Sequence, residues 1–169
     1  MKKASLLIVA IVALVLSTSI AHAQFNPYSE QTALLSVGVG VSGWGVPLFA
    51  RLDYPVADNF TVGGGLSYQS FSRAALSGYS LIGIQARGNY HFNELFEIPT
   101  DEWDVYGGAS LGYFIYNSPD NDIFSSLGGF SLGIQVGGRY FINEKIGLNA
   151  EFGGGSVVSA GTVGVTFKL

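Results

Sequence analysis

A two-residue alternation of apolar and polar side chains runs through almost all of the chain that follows residue 23. The stretch GIQARGNYHFNE at 83–94 shows this pattern, and GIQVGGRYFINE at 133–144 nearly repeats it. Successive side chains of a β-strand point to opposite faces, so this period predicts strands with one apolar and one polar face. The near-repeat indicates a recurring strand and turn rather than a duplicated domain.

We predict eight strands, separated by clusters of Gly, Pro, Asn and Asp that favour turns. Their predicted ranges are 32–42, 47–54, 60–70, 82–92, 104–116, 130–142, 145–153 and 160–169. Connections near 42–46, 70–79, 117–127 and 154–159 are expected to be short loops at one end. No helical period appears after the N-terminal region, so the predicted fold is all-β, in a chain of 169 residues that suffices for one domain.

The first 23 residues have the pattern of a cleavable secretory signal peptide. Lys2 and Lys3 precede an apolar run at 6–16, and Ala21 and Ala23 fit a small-x-small cleavage site. The run is shorter than the roughly 20 apolar residues that a spanning helix needs. We therefore expect residues 1–23 to be removed and residues 24–169 to form one barrel domain.

Charge is scarce in this chain. Charged residues make up 12% of it and hydrophobic residues 48%, although an ordinary soluble domain has about 25% charged residues. Without the signal peptide, 6 Lys and Arg stand against 12 Asp and Glu, a net charge of 6 − 12 = −6. This balance disfavours nucleic acid as a partner. The chain has no Cys, which excludes disulfides and thiolate chemistry.

The alternation alone does not say which face is outside. A soluble lipocalin-like barrel would turn the apolar face inward, whereas a barrel embedded in a membrane reverses this. The polar faces carry few ionisable groups and consist mostly of Gly, Ser, Thr, Gln and Asn. A soluble exterior needs more charge, while a narrow lumen suits small residues, amides and a few balanced charges. The pattern favours a closed antiparallel eight-stranded transmembrane β-barrel.

We predict an ion and hydrogen-bond network in this lumen. Its predicted members are Arg51, Asp53, Gln85, Arg87, Gln135, Arg139, Asn149 and Glu151. If residues 143–145 form a turn, Arg139 faces Asn149 and lies diagonal to Glu151, within reach of long side chains. A second group of residues, near the turn ends, is predicted to form an interfacial aromatic girdle. These aromatic residues are Tyr54, Phe60, Tyr90, Phe92, Trp103 and Tyr140.

Three features of the chain point to one group of proteins: the signal, the alternating strands and the final strand GTVGVTFKL at 161–169. Together they resemble the small eight-stranded outer-membrane barrels of Gram-negative bacteria. This group includes the porin-family proteins and the barrel domains of outer membrane proteins A and X. The resemblance covers the whole mature chain. It implies a monomer in outer-membrane lipid, with its last strand recognised by the barrel-insertion machinery. This chain ends on Leu169, where the family usually ends on an aromatic residue, and Phe167 stands two positions earlier.

Chemistry has little support in the sequence. After signal removal His91 is the sole histidine, and no Ser is obviously placed as a nucleophile beside it. The acids of one long turn are expected to be solvated, and these are Glu94, Glu97, Asp101, Glu102 and Asp104. We therefore expect no catalysis, no cofactor and no metal, and a structural, envelope-integrity or surface-interaction role. The alternatives are a narrow channel for small molecules and a soluble periplasmic lipocalin-like binder.

Overall fold

The computed structural model describes residues 32–43, 45–73, 76–98, 102–117, 129–156 and 159–169, so the predicted signal peptide lies outside the described residues. Within these ranges the chain forms eight β-strands. They are β1 (Leu34–Ser42), β2 (Leu48–Ala57), β3 (Phe60–Arg73), β4 (Leu76–His91), β5 (Trp103–Asn117), β6 (Gly129–Phe141), β7 (Ile146–Gly155) and β8 (Ser159–Lys168). No helix in the described residues is long and apolar enough to cross a membrane.

The strands form one closed barrel in sequence order, with every neighbour antiparallel. β1 and β8 close it along a ladder that runs from Leu34↔Lys168 to Ser42↔Ala160. Closure leaves no free strand edge in the described sheet, so the backbone groups of each strand are bonded on both sides. The predicted closed antiparallel eight-stranded barrel is confirmed.

The two ends of the barrel differ, and we name them for reference. The proximal end is where β1 begins and β8 ends, and it carries the connections 58–59, 92–102 and 142–145. The distal end is where β1 ends and β8 begins, and most of the loop predicted at 117–127 lies outside the described residues.

The predicted distal loop at 70–79 is wrong. β3 and β4 continue into it from both sides, with Ser70 paired to Ser80 and Phe71 to Tyr79. The register of this ladder shifts between Phe71 and Arg73. Ser and Gly in this stretch favour a turn. The β3–β4 ladder nevertheless extends through them, because each added residue pair gives hydrogen-bond partners to backbone groups that would otherwise have none.

The apolar faces of the strands point outward, and the polar faces point into the lumen. Ile134 and Leu132 on β6 are 75% and 73% exposed, whereas Asp53 on β2 is 0% exposed. This arrangement is the reverse of a lipocalin-like barrel, which keeps its apolar face inside. The outward face is an apolar band that would be costly in water.

Glycines let the lumen side chains pack against the wall. A Cβ added at Gly63 would stand well inside contact distance of the Leu52 carbonyl oxygen and of the Asp53 carboxylate. A Cβ at the adjacent Gly64 would meet nothing nearer than the Gln85 carbonyl oxygen at 3.5 Å. Close packing therefore excludes a side chain at Gly63, whereas the adjacent Gly64 has room for one.

We expect Gly63→Ala to lower the free energy of unfolding by about 1–3 kcal/mol, because the methyl group displaces backbone and the Asp53 carboxylate. Gly64→Ala is the matched control, one residue away on the same strand, and should stay within about 0.5 kcal/mol of wild type. The measurement is urea unfolding of the detergent-folded barrel followed by tryptophan fluorescence. Equal midpoints for the two variants would contradict the close packing at Gly63.

Candidate functional site

The proximal half of the lumen holds a chain of six charged side chains with alternating sign. In spatial order they are Arg51, Glu151, Arg87, Asp53, Arg139 and Asp104, and each neighbouring pair lies within ion-pair distance. Three guanidinium groups thus face three carboxylates. All six residues are at most 8% exposed. Such buried charges persist only when they are paired and hydrogen-bonded, and here the pairing is complete along the chain.

Arg139 on β6 bridges two carboxylates on different strands. Its Nη2 donates to Asp53 Oδ2 at 2.5 Å, and its Nη1 donates to Asp104 Oδ2 at 2.8 Å. The guanidinium also lies over the Tyr106 ring, 4.4 Å from its centroid. β2 and β6 are four places apart in the closed order of eight strands, so the Arg139–Asp53 pair spans the lumen. This contact therefore joins two opposite walls of the barrel.

The second half of the chain centres on Glu151 of β7. Its Oε2 accepts from Arg87 Nη2 at 2.5 Å and from the Tyr106 hydroxyl at 2.9 Å, and its Oε1 lies 3.2 Å from Arg51 Nη2. Arg51 in turn donates to Thr162 Oγ1 at 3.2 Å. Glu151 therefore gathers donors from β2, β4 and β5 at one point in the lumen.

His91 stands at the end of the charge chain, between Asp104 and Thr61. Its Nδ1 is 2.6 Å from Asp104 Oδ1, and its Nε2 is 3.0 Å from Thr61 Oγ1. Hydroxyl, imidazole and carboxylate in this order can activate a nucleophile. However, Thr61, His91 and Asp104 are 2%, 1% and 0% exposed, so a substrate has no route to the hydroxyl. The arrangement favours a structural role.

The predicted amide members occupy different places. Gln135 Nε2 donates to Asn89 Oδ1 at 2.9 Å, which ties β6 to β4. Asn149 Nδ2 donates to Thr166 Oγ1 at 3.0 Å, apart from the charge chain. Gln85 lines a cavity on the distal side of the network.

All eight predicted lumen residues face the interior, but the partners differ from those predicted. Arg139 faces Asn149 in the β6–β7 register, as predicted, yet it bonds Asp53 and Asp104 rather than reaching for Glu151.

The prediction of a solvated Asp104 is wrong, because this residue is fully buried. A strand of alternating period begins at Trp103, and its phase places Asp104 on the same face as Tyr106. The acids that precede Asp104 in the sequence are typical of a solvated turn, so they hide the start of the strand pattern at this residue.

Four neutral members of the interior are absent from the predicted network. Asn89, Thr61, Tyr106 and Thr162 bond the charged groups or His91 directly. Each lies on the polar face of its strand, so the alternation contains the signal for them.

The distal part of the lumen is open where the charge chain ends. A cavity of about 110 Å³ is bordered by Arg51, Arg87 and Glu151. Its wall combines polar and aromatic residues, with Gln69 and Phe114 among them. The Nε2 of Gln69 and the Nε of Arg51 have no protein partner among the described residues. This cavity has hydrogen-bonding capacity that the described part of the protein does not use.

The predicted girdle residues lie on the outer face near the proximal end. Trp103 and Tyr140 face each other across the β5–β6 ladder with ring centroids 5.0 Å apart, and Tyr90 packs edge-to-face with Phe92 at 5.1 Å. Tyr54 and Phe60 are 47% and 41% exposed on the same face.

A separate aromatic pair lies further along the β5–β6 ladder, toward the distal end. The Tyr113 and Phe130 centroids are 5.1 Å apart. On this ribbon the apolar band therefore carries aromatic pairs at two levels, one near the proximal end and one further toward the distal end.

Among known protein families no model matches the chain, and no curated protein matches it. Solved structures do. The outer membrane protein OprG of Pseudomonas aeruginosa superposes with a TM-score of 0.63 at 11% identity, covering 82% of this chain and 96% of that one. Neisserial surface protein A gives 0.56 at 16% identity, with 82% and 95% covered.

A de novo designed transmembrane barrel gives a TM-score of 0.55 at 15% identity, with 82% of this chain and 96% of the design covered. The fold is that of the small outer-membrane barrels. Identities this low establish a shared architecture and carry no role from one protein to another.

We expect Arg139→Leu to lower the free energy of unfolding by about 3–5 kcal/mol, because it leaves the buried Asp104 carboxylate without an arginine. The double variant Arg139→Leu/Asp104→Leu removes one charge of each sign and leaves Asp53 paired with Arg87, so it should recover part of this loss. Urea unfolding in detergent micelles measures both. A double variant as unstable as the sum of its two single variants would contradict the coupling.

Proposed function

We propose that this protein is an integral barrel of the bacterial outer membrane, with a lumen closed by its charge network, a structural or envelope-integrity role and no catalytic activity. The observation that carries this proposal is the pairing of an apolar exterior with a charged, buried interior. Lipid stabilises such an exterior, and water does not. The burial of His91 and Thr61 supports the non-enzymatic role.

The height of the apolar band fits a bilayer. On β5, Trp103 and Tyr113 are 113 − 103 = 10 residues apart, and they border the band together with Tyr140 and Phe130 on β6. At about 3.3 Å per residue and a tilt of about 40°, this spacing corresponds to roughly 25 Å, the height of the apolar band in outer-membrane barrels. We infer that the predicted girdle residues sit at the proximal membrane interface.

The proposed orientation places the proximal end in the periplasm. β1 begins there and β8 ends there, as expected for a chain that is exported through a signal peptide at 1–23 and inserted afterwards. We propose that the insertion machinery reads β8, with Phe167 near the end of the strand as part of the signal. The β1–β8 ladder closes within one chain, which supports a monomer.

We expect Ile134→Arg, in the middle of the apolar band, to lower the stability of the bilayer-embedded barrel by about 2–4 kcal/mol, whereas Val56→Arg, near the proximal border, should cost about 0–1 kcal/mol. Unboiled and boiled gel lanes of the membrane fraction report the folded and unfolded barrel for each variant. Wild-type protein recovered as a soluble periplasmic species without a heat shift would overturn the proposal. In such a soluble barrel the two substitutions should cost about the same stability.

A narrow channel is the second candidate, and the distal cavity favours it. The floor of that cavity consists of Arg51, Arg87 and Glu151, so a path through the lumen would have to pass them. An eight-stranded barrel has an interior that side chains nearly fill. We therefore expect the wild-type protein to conduct no steady current.

The variant with Ser at Arg51, Glu151, Asp53 and Arg139 removes two charges of each sign, from the floor and from the ion pair that spans the lumen, and should give measurable single-channel steps in planar bilayers. The variant with Met at the same four positions has the same charge balance but keeps the lumen filled, and it should stay silent. Steady wild-type conductance would instead establish the channel.

A further inference from the structure

A row of three aromatic rings leads from the barrel wall into the β4–β5 connection. Tyr90 lies on the outer face of β4, Phe92 packs edge-to-face against it, and Phe96 stacks on Phe92 with centroids 5.6 Å apart. Phe92 also covers Gly107 of β5, where an added Cβ would stand 3.1 Å from the ring. The row therefore runs along the outside of the barrel and past its proximal border.

The residues that follow β4 form a hydrogen-bonded turn, which holds Phe96 in place beside Phe92. The Phe96 backbone N–H donates to the Phe92 carbonyl oxygen at 2.9 Å, and that of Ile98 donates to the Asn93 carbonyl oxygen at 3.0 Å. The buried Asn93 side chain accepts from the Val105 N–H at 2.9 Å and donates to the Trp103 carbonyl oxygen. The turn is thus bonded to the first residues of β5.

This turn presents two large apolar side chains to the outside. Leu95 is 65% exposed and Phe96 is 61% exposed, and we refer to the two together as the turn patch. Exposed apolar residues on a connection are unfavourable in water. Through Phe92 and Tyr90 the patch is continuous with the outward apolar face of β4, so a surface that covers one also meets the other.

We propose that the turn patch inserts into the head-group and acyl-chain boundary of the membrane leaflet at the proximal end, and that it does so among phospholipids whose head groups carry an ammonium group. This inference rests on the proposed function. Two exposed carboxylates, Glu94 and Glu97, flank the patch directly in sequence. They attract ammonium groups and repel anionic head groups when the patch is seated at a surface.

The test places a single tryptophan at chosen positions in the full barrel, with Trp44→Phe and Trp103→Phe as the background. The reporters are Phe96→Trp and Leu95→Trp in the turn patch, Val136→Trp in the middle of the apolar band and Glu144→Trp in the β6–β7 connection. Each variant is folded into nanodiscs of phosphatidylethanolamine and phosphatidylcholine. The lipids carry bromine either close to the head group or near the chain end, and a boiled-lane gel checks folding.

We expect both turn-patch reporters to lose more fluorescence to the shallow bromines than to the deep ones, whereas Val136→Trp should lose more to the deep bromines. Glu144→Trp, on a connection at the same end, should lose least to either. Turn-patch reporters that behave like Glu144→Trp would overturn the insertion and leave the proposed function intact. A Val136→Trp reporter that neither lipid quenches would instead overturn the membrane barrel itself.

The choice of lipid is tested with the same reporters. Replacing phosphatidylethanolamine by phosphatidylglycerol should reduce the quenching of Phe96→Trp, and the added pair Glu94→Gln/Glu97→Gln should abolish the difference between the two lipids. The Glu94→Gln change keeps a side-chain oxygen that can accept from Asn59 Nδ2, which donates to the Glu94 carboxylate at 2.6 Å. Equal quenching in both lipids before this change would overturn the ammonium preference.

Discussion

The ion pair between Arg139 and Asp53 joins strands that lie opposite each other in the barrel, and the other charged contacts of the interior are arranged around it. A closed eight-stranded sheet surrounds a space that side chains must fill. Here they fill it with charges, which a low-dielectric interior tolerates only in balance. Asp53 also meets Arg87, and Arg139 also meets Asp104, so each member of the pair is held from two sides. The charges are therefore coupled, because the loss of one leaves its buried neighbours without a partner.

Glycine makes this network sterically possible. The large interior groups lie against positions where no side chain competes: Asp53 beside Gly63, and Tyr106 beside Gly137, where an added Cβ would stand 2.5 Å from the hydroxyl. Asn89 is placed in the same way against Gly108. The glycines at these positions are thus coupled to the size of the buried polar residues, since a narrow lumen has room for such groups only where the neighbouring strand carries no side chain.

Much of this can be predicted from the sequence, because a period of two residues determines the strands and separates their two faces. The scarcity of charge on the polar faces then assigns Arg87 to the interior. It does not assign the partners of Arg87, since contacts across a lumen depend on the stagger between distant strands, which local patterns do not contain. Asp104 illustrates a second limit. Its acidic neighbours indicate a turn, whereas the register with Arg139 determines its burial.

The two halves of the barrel divide the physical tasks. The proximal half contains the ion pairs, the fully buried His91 and the aromatic rows, so its interior is closely bonded and its exterior is suited to an interface. The distal half contains a cavity whose wall retains donors on Gln69 and Arg51 that no described residue accepts from. A solute that entered the barrel from the distal end would therefore reach the unpaired donors of the cavity wall before the rest of the charge chain. If the charge chain limits passage, as in the proposed function, the distal cavity is the part of the lumen that a small molecule could reach.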